Sequence, residues 1–159
     1  MTTSIRASFI NLDVELESSE DLAPLAQHFG RRTFVLQCGA TETEPPRFRL
    51  AIEALTDGQL ECDPQRCTDH FLALVESLPP VLQALWSGCD SRVFDYGFEG
   101  GRDAAPFAAV IDAARVSRVA ALGVDLRITV YAYREPEADT ACAETCPTCC
   151  AEVSTPISA

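Results

Sequence analysis

Lysine is absent from this 159-residue chain, and all 12 basic residues are arginine. That excludes a Schiff-base lysine, a phosphate-loop lysine and a lysine general base together. Histidine is nearly as scarce, leaving only His28 and His70 as imidazole bases. Positive charge is in short supply as a whole, because 24 acidic residues bring the formal charge to -12. Affinity for nucleic acid comes largely from neutralising phosphates, so neither nucleic acid nor an anionic membrane suits so acidic a chain. No stretch stays apolar for the roughly 20 residues that a membrane helix needs. The start, Met1-Thr2-Thr3-Ser4-Ile5-Arg6, lacks the charged stretch and apolar run of a secretory signal. The expectation is a cytoplasmic protein with mainly reduced cysteines.

What is present suffices for one folded domain. The chain is 47% apolar and 23% charged, and its length fits a single core at roughly 100–200 residues per domain. Ile10, Leu12, Val14 and Leu16 alternate with Asn11, Asp13, Glu15 and Glu17, the period of two that marks a strand with one dry and one wet face. Ser18 and Ser19 then offer N-cap oxygens, Leu22, Leu25 and Phe29 form an apolar stripe, and Gly30 supplies a stop, which predicts a short helix. Residues 33–38 read as a buried strand of mostly β-favouring residues, and after Pro45-Pro46 the residues Phe48, Leu50, Ile52 and Ala54 alternate again. Thr56-Asp57-Gly58-Gln59 closes that strand with a turn.

Asp63-Pro64 places an N-cap before a proline at the first helical position, and Cys67, Phe71, Leu74, Val75 and Leu78 follow at helical spacing. Pro79-Pro80 breaks that helix, and a second piece runs from Val81 to Trp86 and ends at Gly88. Residues 93–98 return to strand composition, and 107–111 suit either a short strand or the first turns of a helix. Asp112 caps a helix carrying Val116, Val119, Ala120 and Leu122, with Gly123 as its stop. Val124, Leu126, Ile128 and Val130 alternate with Asp125, Arg127, Thr129 and Tyr131 in a final strand. This order predicts an α+β domain over residues 1–134, with a largely antiparallel sheet and helices packed on one face. From Glu135 onward arginine and apolar periodicity both stop. Residues 135–159 are therefore expected to form a flexible, disordered acidic tail rich in cysteine, threonine and serine.

The acidic first strand leading into a short helix, the helix from Asp63-Pro64 to Leu78-Pro79, and the closing Ala120-Ala121-Leu122-Gly123-Val124-Asp125-Leu126 into a strand ending at Tyr131 form a recognisable pattern. Over residues 9–133 it resembles a small bacterial α+β domain family of unknown function found near contact-dependent toxin and immunity systems. The resemblance implies no catalytic residues and does not extend to the tail.

Chemistry concentrates in that tail, where Cys142, Cys146, Cys149 and Cys150 fall within nine residues. Thiolates bind soft ions, and the Pro147-Thr148 spacer lets its flanking sulfurs converge, so zinc or copper(I) capture is expected, or a redox thiol cluster. The spacing is not that of a zinc finger, which separates two knuckles by a longer loop. Thr140, Thr145, Thr148, Ser154, Thr155 and Ser158 are interleaved with these cysteines. That supports an alternative, a precursor of a ribosomally synthesised and post-translationally modified peptide, with the domain as leader and a tailoring enzyme as partner.

Cys62, Cys67 and His70 also lie close together, but Cys67 shares the apolar stripe of its helix and no third orienting group accompanies His70. His28 reads as a partly exposed surface histidine. Gly97-Phe98-Glu99-Gly100-Gly101 lacks the lysine of a phosphate loop and reads as a turn. With no nucleophile motif, the chain points away from an enzyme. Asp13, Glu15 and Glu17 share a wet strand face, as do Arg47, Arg49 and Glu53, and Asp125, Arg127, Thr129 and Tyr131. If these strands pair, opposite charges meet in register. Asp13, Glu15, Arg47, Arg49, Arg127 and Tyr131 are then candidates for a protein-binding surface, with arginine and tyrosine as anchors and the acidic excess steering a basic partner such as a toxin.

Overall fold

The computed structural model describes residues 6–54, 63–102 and 106–133. Five strands and four helices follow the expected order: β1 (Ser8–Ser18), α1 (Ala23–Phe29), β2 (Thr33–Ala40), β3 (Phe48–Ala54), α2 (Pro64–Glu76), α3 (Pro80–Ser87), β4 (Ser91–Glu99), α4 (Ala113–Ala121) and β5 (Asp125–Tyr131). A single 3-10 turn, Gly30–Arg32, joins α1 to β2. The strands form one sheet in the order β2-β3-β1-β4-β5. Every pairing is antiparallel except β4 with β5, which is parallel. That exception follows from the connection, because a parallel neighbour requires a crossover and α4 lies in the segment between the two strands.

The helices cover one side of the sheet. Leu12, Val14 and Leu16 of β1, Leu50 and Ile52 of β3, and Phe94 and Tyr96 of β4 alternate toward it and are buried. Leu22, Leu25 and Phe29 at α1 and Cys67, Phe71, Leu74, Val75 and Leu78 at α2 close over them as their spacing predicts. The ring of Phe71 sits 5.8 Å from that of Phe94, centroid to centroid. Tyr96 brings a hydroxyl into this core, where it lies 2.7 Å from Thr68 Oγ1. The Asp63 carboxylate caps α2 by accepting from the backbone N–H groups of Gln65 and Arg66, and Asp112 caps α4 by accepting from Arg115. No helix among the described residues is long and apolar enough to cross a membrane.

Six local expectations are corrected. β2 is not a buried strand: it lies at the edge of the sheet, where only Thr33 is buried and Phe34, Val35 and Leu36 are exposed. Ile10 does not join the dry side of β1, because the pairing with β4 shifts between Phe9 and Asn11, and Phe9 is buried in its place. Ser18 and Ser19 do not cap α1: Leu22 occupies the N-cap without a side-chain bond, while Ser18 Oγ accepts from Glu20 N–H. Residues 106–112 form neither strand nor helix. In α4 only Val119 is buried, and the helix is tied to α2 through its arginines instead. Arg115 bridges to Asp69 at 2.6 Å and Arg118 to Glu76 at 2.6 Å. Finally, the alternate apolar residues of β5 face the helix side but stay exposed, because the helix layer does not reach the edge of the sheet. The turn expected at Thr56-Asp57-Gly58-Gln59, the tail boundary and residues 135–159 lie outside the described residues.

Candidate functional site

The second face of the sheet is left open by the described helices. Its residues form rows across the strands, fixed by the register. One row runs Phe34, Glu53, Asp13, Asp95, Arg127, and the next runs Gln37, Ala51, Glu15, Val93, Asp125. The register differs from the expectation in one respect. Arg49 does oppose Glu17, with Nε 3.1 Å from its carboxylate. Asp13, however, has carboxylates directly across on both neighbouring strands, Glu53 on β3 and Asp95 on β4. Like charges placed so destabilise a sheet.

Arg127 offsets part of this charge. Its Nε donates to Asp95 Oδ2 at 2.8 Å, and its Nη2 reaches over β4 to Glu15 Oε1 at 2.6 Å. Thr129 Oγ1 donates to Asp95 Oδ1 at 2.7 Å, so the Asp95 carboxylate, almost fully buried, is well satisfied. Asn11 Nδ2 donates to Asp13 Oδ1 at 3.0 Å. Room for the Asn11 amide comes from Gly97, where any Cβ would collide with Asn11 Oδ1. Gly97 thus belongs inside β4, paired with Asn11 and Thr129, and the turn expected there is corrected. Neither Asp13 nor Glu53 has a salt bridge among the described residues.

Burial raises the Asp13 carboxyl to about 6, helped by the charges of Glu53, Asp95 and Glu15 and opposed by Arg127. The folded chain therefore holds a proton that the unfolded chain releases near its ordinary value of 3.8. Stability associated with that proton is intact below about pH 4 and is lost as pH rises through the folded value. Asp13→Asn is expected to stabilise the protein by about 1 kcal/mol at neutral pH, a figure reduced for solvent screening of a half-exposed group. At pH 4 the gain should vanish. Urea titrations at both pH values check this, and an equal gain at both would show that the charge on Asp13 is not its source.

The structure gathers Asp13, Glu15, Arg49 and Arg127 on this face. Tyr131 lies at the far end of β5, opposite Glu99. Arg47 lies just outside β3 and pairs with Asp90 at 2.5 Å, beside the start of β4. Asp95 and Asn11 were not singled out from the sequence, although Asp95 shares the wet parity of its strand. The four tail cysteines, Cys142, Cys146, Cys149 and Cys150, and also Cys62, lie outside the described residues. Cys67 is buried in the core, and His70 Nε2 lies 3.0 Å from the carbonyl oxygen of Arg32. Among the described residues no group of three or more His, Cys, Asp or Glu is arranged to hold a metal ion.

Comparison with protein-family models, curated proteins and solved structures finds no match to this chain.

Proposed function

We propose that the domain is a non-catalytic, acidic protein-binding module of the immunity type, and that its open sheet face takes a basic protein partner. The observation that carries this reading is the row Glu53-Asp13-Asp95, three carboxylates in register with one guanidinium at the end. A fold optimised only for stability would pair a cation directly with Asp13, whereas Arg127 bridges to Asp95 and Glu15. A binding face gains from leaving that charge for the partner, since a lysine or arginine arriving there relieves repulsion already present in the free protein. The acidic excess steers such a partner over distances of about a Debye length, roughly 8–10 Å at physiological salt. Phe34, exposed at the end of the same row, and Tyr131 supply aromatic contact area. On this reading the tail thiols serve a separate task, soft-metal or redox chemistry, which rests on their spacing alone.

Glu53→Arg tests the proposal, because it puts a cation beside Asp13 without touching the core. The variant should be more stable than the parent and should lose the partner. Full-length protein immobilised at low salt should capture a basic protein from its source cells and release it as salt is raised, whereas Glu53→Arg should not retain it. Capture of the same proteins by parent and variant, or of none by the parent at low salt, would defeat the proposal. Misfolding cannot mimic the expected outcome, since stability and binding move in opposite directions.

A further inference from the structure

The two edges of the sheet are guarded differently. Edge strands are normally blunted by proline, a bulge or an inward-pointing charge. β2 has an irregularity in its pairing between Val35 and Gln37. β5 has none of these protections: its register with β4 is unbroken from Asp125 to Tyr131, it contains no proline, and its charged residues all point to the open face. On the helix side Leu126, Ile128 and Val130 form a stripe that is 43%, 70% and 67% exposed. Beside them Tyr96, Phe98, Ala109 and Ile111 complete an apolar crevice of about 100 Å³ with Leu126 and Ile128.

From this edge we infer that β5 pairs with β5 of a second copy of the chain, antiparallel about a two-fold axis through Ile128. The strand is complementary to itself in that register. Ile128 meets Ile128, Leu126 meets Val130, Arg127 meets Thr129, and Asp125 meets Tyr131, so no like charges face each other. The apolar stripe doubles in length on one side, and the outer backbone groups of both strands find partners. Such an interface is isologous and closes on itself, which leaves no further edge at β5 to propagate an aggregate. Joining the sheets also extends the two open acidic faces side by side. The inference does not depend on the function proposed for that face.

Light scattering on the full chain after size exclusion tests it. Because each copy carries a charge of -12, added salt should screen their repulsion and strengthen the dimer, the reverse of its effect on capture of a basic partner. Parent protein should give twice the chain mass. Ile128→Lys, which sets two cations face to face across the axis at a site already exposed, should give the monomer mass with unchanged thermal stability of the monomer fold. Val81→Lys, on an equally exposed residue of α3, should remain dimeric. A monomeric parent at high salt and high concentration would overturn the inference and leave the β5 edge to an extended segment of another protein. A dimer that survives Ile128→Lys would place the interface elsewhere and overturn it equally.

Discussion

Phe94→Ala is expected to lower the unfolding free energy by about 3–5 kcal/mol, whereas Phe34→Ala should change it by no more than about 0.5 kcal/mol. Both residues are phenylalanines within strands of the same sheet, and only their surroundings separate them. Phe94 is fully buried between the sheet and α2, its ring tilted by 51° against that of Phe71, and its removal leaves a cavity that strand and helix together cannot collapse. Phe34 is 55% exposed on the edge strand β2 and faces the open side of the sheet. Urea titrations followed by fluorescence of Trp86, the single tryptophan, measure both. Comparable losses for the two variants would mean that the open face is covered in solution and that the helix layer is not the principal core.

That contrast marks where local sequence is informative. Alternation from Leu12 to Leu16 in β1 and from Leu50 to Ala54 in β3 is legible because one side of each strand is dry over that length. The caps at Asp63 and Asp112 are legible because an N-cap is a local chemical requirement. β5 shows the same alternation, yet its apolar residues are exposed, since the reach of the helix layer is a tertiary property that no strand encodes. Ser18 offers the right oxygen for a cap but spends it on Glu20 at the end of β1. Gly97 has the composition of a turn and sits in a strand because Asn11 occupies the space a side chain would need. Charge pairing across the open face is the least legible feature. It depends on which strands are neighbours, and β4, bearing Asp95, separates β1 from β5. The acidic character of the site was therefore apparent from β1 alone, whereas its repulsive register was not.

Arg92→Met should cost about 2–3 kcal/mol, although Arg92 belongs to none of the patterns by which the elements are recognised. Its guanidinium gathers carbonyl oxygens from two separate places. Nη1 donates to Trp86, Ser87 and Cys89 at 3.0, 3.1 and 2.7 Å, binding the end of α3 to the start of β4. Nε donates to Gly123 at 2.9 Å, just before β5. Gly123 adopts φ of +66°, and a Cβ there would come within 3.0 Å of the Arg92 guanidinium, so glycine is what allows the turn and the arginine to coexist. Methionine keeps the apolar stem but leaves all four carbonyls without this donor. Lysine should restore only the α3 half, because one compact ammonium can serve the three clustered carbonyls and cannot also span to Gly123. Two measurements separate these halves. Urea titration should place Arg92→Lys between the parent and Arg92→Met, while amide exchange at residues 124–126 should be accelerated in both variants. If β5 exchanges at the parental rate in both, Arg92 does not anchor that strand. The position of Arg127 over Asp95 and Glu15 would then be fixed by the β4 pairing alone.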